Sequence, residues 1–221
     1  ESMDPIKTGN NGNFSIVAEP LVLSAYVNSH TKRWFDLSFS IVVVPVALCL
    51  LIPVCVIFPL FSGWHIIFRH YRVGKDGRRF YLYKIRSLKK NHNNPRAGMV
   101  KGDGTVIPIM GNFIRQTRID ELPQIWNIIK GDMSFVGPRP ALFNQHDLIA
   151  LRTEHGVHKL VPGLTGWAQV NGFRGITKTN LDMQNRVNYD LYYIRKWNFW
   201  LDCQIVLQTI INLLKGEDQA Y

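Results

Sequence analysis

LSFSIVVVPVALCLLIPVCVIFPLFS, from Leu37 to Ser62, contains no charged side chain at any of its 26 positions. A straight helix of this length measures roughly 39 Å, which is enough to cross a hydrocarbon core of about 30 Å. The run starts late in the chain and lacks a small-residue cleavage site, which disfavours a secretory signal peptide. Core helices of soluble proteins rarely contain so long an uncharged run. The segment therefore predicts a membrane element.

Prolines and flanking charges favour a hairpin over a simple span. Each proline inside the run removes a backbone donor and tends to kink a helix; the three are Pro45, Pro53 and Pro59. Basic residues flank the run on both sides, with Lys32 and Arg33 before it and five more between positions 69 and 79. Because basic flanks prefer the cytoplasmic side, we expect a re-entrant helix-break-helix hairpin whose ends lie on one face. A single span is the alternative, since spanning helices also tolerate proline.

Length and charge set the organisation of the chain. Its 221 residues suit one compact domain plus the membrane element. We divide them into an N-terminal segment (1–31), a membrane hairpin (32–68) and a cytoplasmic domain (69–221). The net charge of +10 implies an anionic partner: nucleic acid, a phospholipid surface or a phosphorylated substrate. The three cysteines have no metal-ligand spacing and indicate no disulfide framework, which is typical of a reducing compartment.

The remaining pattern predicts a mainly helical α/β domain that is associated with the membrane. The predicted elements are strands at Phe80–Ile85 and Met133–Val136, helices at Leu122–Lys130, 142–155 and 181–215, a loop at 89–112 and a turn at 162–166.

The end of the last predicted helix is amphipathic. Its apolar face contains Phe199, Trp200, Val206, Leu207, Ile210, Ile211, Leu213 and Leu214, and its polar face contains Asn198, Asp202, Gln204, Gln208, Thr209 and Asn212. With Trp197 and Trp200 at its start, the helix suits the bilayer interface. An ordinary helix packed on the domain core is an equally good interpretation.

The adjacent acids Asp120 and Glu121 are the strongest candidates for chemistry. Neighbouring helical side chains point about 100° apart, so we expect one carboxylate to act as a nucleophile and the other to hold a divalent ion. Asp120 is also a plausible N-cap for the following helix, with Glu121 and Pro123 in its first turn. The two roles are compatible, because a carboxylate at a helix start stays ionised and the helix dipole favours phosphate.

Basic residues near the acidic pair suit a diphosphate. Arg115 and Arg118 precede the pair, Lys84 and Arg86 lie at the predicted strand, and Arg139 stands between two prolines. The arginine fork matches phosphate oxygens, and the prolines restrict the backbone at Arg139. A hard cation, Mg²⁺, would neutralise the diphosphate and bind one carboxylate.

Other functional classes are disfavoured. His155 and His158 lack an obvious third ligand for zinc, and the sequence contains no nucleotide-binding glycine motif. Aromatic residues are not interleaved with the basic ones as a nucleic-acid platform requires, so we expect no nucleic-acid partner.

These residues belong to a longer ordered set of motifs. The set consists of Lys32-Arg33-Trp34-Phe35-Asp36, Tyr83-Lys84-Ile85-Arg86-Ser87, Thr117 to Gln124, Lys130 to Ser134, Gly137-Pro138-Arg139-Pro140, Pro162 to Gly172, Arg186, Asp190 and Tyr193. In this set the chain resembles the bacterial sugar transferase family, the monotopic polyprenyl-phosphate phosphoglycosyl transferases, from about Lys32 to the C-terminal helix. Phe14 to Leu21 resemble the end of an extra module that precedes the catalytic unit in long members. The mid-hairpin Ser-Pro break of the family falls at Cys49 here.

The resemblance implies a membrane enzyme on the cytoplasmic face of the bacterial inner membrane. Such an enzyme transfers a hexose-1-phosphate from a UDP-sugar to undecaprenyl phosphate and releases UMP, the first membrane step of exopolysaccharide, capsule or O-antigen assembly. The implied mechanism is ping-pong, with Asp120 as the nucleophile, Glu121 as a Mg²⁺ ligand, and Lys84, Arg86, Arg115 and Arg139 as substrate-binding residues. The expected partners are the two substrates, the phospholipid bilayer and a second copy of the chain. A catalytically silent, membrane-bound anion-binding or scaffold protein of the same fold is the competing class.

The donor sugar is suggested by one stretch. Val170-Asn171-Gly172-Phe173-Arg174-Gly175 resembles members that transfer glucose-1-phosphate, which makes UDP-glucose the first hypothesis. UDP-galactose and N-acetylated UDP-sugars are the alternatives.

Overall fold

The computed structural model describes residues 30–87, 110–175 and 179–216. The N-terminal stretch that includes Phe14 to Leu21, and almost all of the predicted loop at 89–112, lie outside the described residues.

The apolar run forms one helix, α1 (His30–Ser62), which contains all three prolines. The expected helix-break-helix path is not confirmed, because helical structure continues without a break from His30 to Ser62. Proline blocks only one backbone donor, so a helix can continue through it with a local adjustment. Of the described elements, α1 is the one that is long and apolar enough to cross a membrane. Most of its large side chains between Ile41 and Leu60 are exposed.

The first turns of α1 are bound to the domain by buried polar contacts. Lys32 Nζ lies 2.7 Å from Asp202 Oδ2 and donates to Tyr193 Oη at 3.0 Å. Asp36 Oδ1 accepts from Ser134 Oγ at 3.0 Å and from the Phe135 amide at 3.1 Å. A buried charge is tolerated only when it is paired and hydrogen-bonded, and both conditions are met here.

The last turns of α1 pack on the same domain. Phe58 is fully buried in an apolar cluster with Val54, Ile85, Ile114 and Ile119. Ile119 immediately precedes the acidic pair. Both ends of α1 therefore contact one domain, although its middle is largely exposed.

The domain combines two small sheets with short helices. The strands are β1 (Ile67–Val73), β2 (Arg79–Ile85), β3 (Ser134–Val136), β4 (Ala141–Leu142) and β5 (Gly163–Thr165). The further α-helices are α2 (Met110–Gln116), α3 (Ile125–Lys130), α4 (His146–Glu154), α5 (Trp167–Val170), α6 (Asn180–Lys196) and α7 (Phe199–Lys215), and 3₁₀ turns lie at Lys75–Gly77, Ile119–Gln124 and Val157–Lys159. One sheet has the antiparallel order β2-β1-β4, and in the other β3 pairs in parallel with β5. The main core lies between these sheets and helices α6 and α7.

Several predicted elements are confirmed, and others need correction. The predicted strand Phe80–Ile85 is present as β2, and the helix that ends at Gly131 is present with this glycine in the left-handed region. Strand β1 was not predicted, because basic side chains occupy both of its faces and hide the alternation. The single helix predicted at 181–215 is wrong: α6 and α7 are separated at Trp197–Asn198, where the Asn198 side chain accepts from the Leu201 amide and starts a new helix.

Helix α7 faces the domain with both polar and apolar residues and faces outward with mostly apolar ones. Asp202 and Asn212 are buried, and Thr209 bonds Thr165 at 2.7 Å. Its outward side carries Trp200, Leu207, Ile210 and Leu214, each at least half exposed. Leu201 and Ile205 are buried in the main core beside these polar residues, so the inward face of α7 is mixed.

Candidate active site

The acidic pair lies in a 3₁₀ helix, Ile119–Gln124, that begins after a strained residue. Arg118 has φ 57° and ψ 18°, the left-handed region that non-glycine residues seldom adopt. Its carbonyl accepts from the Glu121 amide at 2.9 Å. The expectation that Asp120 is the N-cap is wrong: Arg118 occupies that position, and Asp120 lies inside the turn. Both acids are buried, at 6% and 5% exposure.

Four cationic side chains surround the Glu121 carboxylate. Lys84 Nζ lies 2.7 Å from Oε1 and Arg174 Nη2 lies 2.5 Å from Oε2. Arg139 Nη2 lies 3.5 Å from Oε1, and Arg118 Nη1 lies 4.0 Å from Oε2. A single carboxylate cannot neutralise four cations, so the site has an excess of positive charge that suits an anionic ligand.

The two acids have opposite pKa shifts. Burial raises the pKa of Asp120 to about 6, although nearby Lys84 acts in the other direction, and the charge of Glu121 raises it further. Burial would also raise the pKa of Glu121, but Lys84 and Arg139 outweigh burial and lower it to about 2. Two neighbouring titratable groups whose pKa values are pushed apart are typical of divided catalytic roles. At neutral pH Asp120 is mostly ionised and is more basic than an ordinary aspartate.

Strand β2 and helix α3 place Lys84 beside the acids. The Asn127 side chain donates to the Tyr81 carbonyl at 2.7 Å and accepts from the Tyr83 amide at 3.3 Å. This amide clamp fixes the strand against the helix that follows the acidic turn. Lys84 Nζ consequently reaches both acids, with Asp120 Oδ2 at 3.7 Å.

Arg139 is positioned by its backbone. Arg152 Nη1 donates to the Arg139 carbonyl at 2.7 Å, and the same guanidinium bonds Asp190 Oδ2 at 3.1 and 2.5 Å. The backbone of Gly137, two residues before Arg139, packs directly against the backbone of two later glycines. A Cβ at Gly163 or Gly166 would collide with the main chain of Gly137. Only glycine permits so close an approach, so this packing fixes the Pro138-Arg139-Pro140 segment.

The other predicted basic residues take different places. Arg115 is near enough to lower the pKa of Asp120. The guanidinium of Arg86 lies over the Phe58 ring, 5.9 Å from its centroid, and so touches the end of α1. Arg174 was not predicted to contact the acids, because it lies 53 residues beyond Glu121 in sequence. The only sequence signal was its place in the stretch Val170 to Gly175.

The donors at the site are compatible with Mg²⁺ only together with a substrate. Among the described residues no three His, Cys, Asp or Glu side chains form a metal cluster. Mg²⁺ commonly binds one or two carboxylates and completes its shell with water and substrate phosphates, so Asp120 and Glu121 are suitable donors. Both Glu121 oxygens already contact cations, so a bound Mg²⁺ would share this carboxylate with Lys84 and Arg174.

Comparison with known proteins identifies the family. The family model for the bacterial sugar transferase matches residues 27–216, which include the whole site. The chain belongs to this family. A bacterial sugar transferase of Xanthomonas campestris pv. campestris, named UDP-glucose:undecaprenyl-phosphate glucose-1-phosphate transferase, is 44% identical over 160 residues, which are 71% of this chain and 33% of the relative. A protein of the same name from Escherichia coli (strain K12) is 38% identical over 190 residues, 83% of this chain and 40% of the relative.

A third bacterial sugar transferase is named for a different donor. The UDP-N-acetylgalactosamine-undecaprenyl-phosphate N-acetylgalactosaminephosphotransferase of Aeromonas hydrophila is 33% identical over 197 residues, 88% of this chain and 46% of the relative. The chain thus spans less than half the length of these curated relatives.

Proposed function

We propose that this bacterial sugar transferase moves a sugar-1-phosphate from a UDP-sugar to undecaprenyl phosphate. The observation that carries the proposal is the buried Asp120, with a pKa raised to about 6, beside a Glu121 that four cations hold ionised. A scaffold protein without catalytic activity has no need for a buried aspartate whose ionised form destabilises the fold.

The proposed reaction has two displacements at one phosphorus atom. Asp120 attacks the β-phosphate of the donor, the bond from that phosphorus to the bridging oxygen breaks, and UMP leaves with the bridging oxygen. The resulting aspartyl phosphosugar is then attacked by an oxygen of undecaprenyl phosphate, and the carboxylate of Asp120 is released. Both steps only exchange oxygen partners at phosphorus and need no oxidant or reductant.

The cationic side chains supply the electrostatic part of catalysis. Lys84 lies within 3.7 Å of both acids, so it can bridge the nucleophile and a bound phosphate. The backbone of Arg139 is fixed, so its guanidinium needs little reorganisation to stabilise charge on the equatorial oxygens. Mg²⁺, held by Glu121 together with the donor phosphates, would neutralise part of the diphosphate charge.

We place the protein at the cytoplasmic face of the inner membrane, and its exposed apolar surfaces support membrane association. Helix α1 is apolar along its exposed middle, yet both of its ends pack on one domain. That arrangement supports the re-entrant path, in which the helix enters and leaves one leaflet. The outward apolar side of α7 supports its placement at the interface, where Trp200 would lie at headgroup depth.

UDP-glucose is the proposed donor. Two of the relatives described above are named for UDP-glucose, and the third is named for an N-acetylated sugar. Incubation with undecaprenyl phosphate and a panel of UDP-sugars should release UMP fastest from UDP-glucose. A faster reaction with an N-acetylhexosamine donor would exclude this assignment.

The covalent step has its own test. With radiolabelled UDP-sugar and no lipid, label should remain on the peptide that contains Asp120, while one equivalent of UMP is released. Asp120→Asn should abolish both events. Substantial turnover by this variant, or product formation only when both substrates are bound together, would rule out the covalent mechanism.

A further inference from the structure

A second group of basic residues lies beside the acidic pair, which Arg139 contacts, and is not required by the attack of Asp120. It contains His70, Arg72, Arg139 and Arg186, called here the rear cluster. Two of its members have buried donors without acceptors: Arg186 is 3% exposed and its Nε has no partner, and His70 is 7% exposed and its Nδ1 has none. An unsatisfied buried donor costs about 1–3 kcal/mol, and the charges of Arg72 and Arg139 act on both residues, so this group suits a ligand that accepts hydrogen bonds.

His70 presents a hydrogen-bond donor rather than an acceptor. Its Nε2 accepts from Arg72 Nε at 2.7 Å, so the neutral ring carries its proton on the unpartnered Nδ1. The ring is neutral because burial, with the charges of Arg72, Lys84 and Arg139, lowers its pKa to about 3. The strand register puts His70 and Lys84 on the same face of the sheet, since His70 pairs with Leu82 and Lys84 with Phe68.

Arg186 is almost without compensation in the protein. Its one described hydrogen bond is a long one, 3.4 Å from Nη1 to the Gly175 carbonyl. Asp190, one turn further along α6, is already bound by Arg152 through two hydrogen bonds. Burial and the nearby charges of Arg152, Arg139 and Arg72 outweigh the opposing charge of Asp190 and lower the pKa of Arg186 to about 9, so it remains charged at neutral pH.

Arg139 joins the rear cluster to the acidic pair. It contacts Glu121, and its charge acts on both His70 and Arg186. Gly175, which accepts from Arg186, directly follows Arg174, which binds the other oxygen of Glu121. The rear cluster is therefore next to the place where a phosphate attacked by Asp120 would lie.

We propose that the rear cluster is a phosphate subsite that holds first the α-phosphate of the donor and then the phosphate of the lipid acceptor. This proposal rests on the proposed function. In-line displacement places the attacking and leaving oxygens on opposite sides of the phosphorus. UMP leaves opposite Asp120 in the first step, and the acceptor oxygen must enter opposite Asp120 in the second. One subsite thus serves both phosphates in turn.

Arg186→Gln in the complete chain tests the subsite, because it removes the charge and keeps a polar side chain. Arg195→Gln is the matched control, an exposed arginine on the same helix. Two quantities are measured: the dissociation constant of UMP by calorimetry, and the KM of undecaprenyl phosphate. Arg186→Gln should raise each about ten- to hundredfold, the loss typical of a removed charge-assisted hydrogen bond, while the control stays within about twofold.

The outcomes separate this inference from the proposed function. Unchanged UMP affinity and acceptor KM in Arg186→Gln, even with a lower kcat, would reveal a purely structural arginine and overturn the subsite. A rise in only one of the two quantities would overturn its shared use. If Arg186→Gln does not fold, Arg186→Lys retains the charge without the fork and should show smaller rises in both quantities; no rise overturns the proposal. Failure of the unaltered protein to release UMP from any UDP-sugar would instead refute the proposed function.

Discussion

Neutralising each acid of the pair should change the stability of the fold in opposite directions. Asp120→Asn and Glu121→Gln are adjacent, nearly isosteric substitutions, and both should abolish turnover. The folded-state pKa of Asp120 lies near 6 against an ordinary value of 3.8, so the fold favours the neutral form and is destabilised by the ionised one. The pKa of Glu121 lies near 2 against an ordinary value of 4.5, so the fold is stabilised by its charge.

The size of both effects follows from the pKa values. A tenfold difference in proton affinity corresponds to about 1.4 kcal/mol, which gives on the order of 2–3 kcal/mol for each acid at pH 7. Asp120→Asn should therefore raise the melting temperature by about 5–10 °C, and Glu121→Gln should lower it by a similar amount. Glu121→Gln also leaves the surrounding cations, Lys84 and Arg174 among them, without their counter-ion.

Thermal unfolding in detergent at several pH values is the assay. The gain in stability from Asp120→Asn should reach its full size above pH 6. It should vanish as the pH falls towards 3.8, where Asp120 of the unaltered protein becomes neutral in the unfolded chain as well. The stabilisation from Glu121 should persist down to pH 4.5 and then decline towards pH 2. An Asp120→Asn protein that melts below the unaltered one at pH 7, or a Glu121→Gln protein of undiminished stability, would refute this electrostatic account.

Three further predictions concern the nucleophile, the anchor of α1 and the outer side of α7. The UMP burst without acceptor, at low donor concentration, should fall about tenfold from pH 7 to pH 5 because the pKa of Asp120 is about 6; an unshifted aspartate would give an almost flat profile. Lys32→Met should cost about 3–5 kcal/mol in chemical denaturation because it leaves Asp202 buried and charged, and adding Asp202→Asn should restore part of that; additive losses would contradict the pairing. With the protein in lipid nanodiscs, a nitroxide that replaces Leu207 should be shielded from a water-soluble relaxation agent, compared with a nitroxide that replaces Glu154 on α4. Equal accessibility of the two labels would place α7 away from the bilayer.

The chemical core of the site could be predicted from sequence because its residue types are unusual together. Two adjacent acids, a lysine on a predicted strand and an arginine between prolines are informative without a structure, and the fold brings Lys84 and Arg139 to Glu121. The contact of Arg174 with Glu121 was not predicted, because the two residues are far apart in sequence and no local pattern indicates that they meet. The left-handed backbone of Arg118 was not predicted either, because no local sequence signal favours this conformation and the surrounding structure imposes it.

The fold was predicted less completely where tertiary structure outweighs local pattern. The continuity of α1 through Pro45, Pro53 and Pro59 could not be deduced from proline propensity, which describes helices in water. The inward face of α7 combines the buried polar residues Asp202 and Asn212 with the core residue Ile205, and its outward side is mostly apolar, so the wheel alone left two interpretations open. The break at Asn198 could have been predicted from the sequence, because asparagine is a common N-cap residue.

The contact between Lys32 and Asp202 has a consequence for biosynthesis. The two residues are 170 positions apart, and Lys32 also depends on Tyr193, which is 161 positions away. At roughly 5–20 residues per second, a ribosome needs about 10–30 s to reach the second partner after the first has been made. On the proposed membrane location, the apolar part of α1 enters the membrane during that interval while Lys32 still has water as its partner. Translation of α7, nearly at the end of the domain, is therefore the event that lets the lysine become buried, so chains truncated before it should be targets for quality-control proteases.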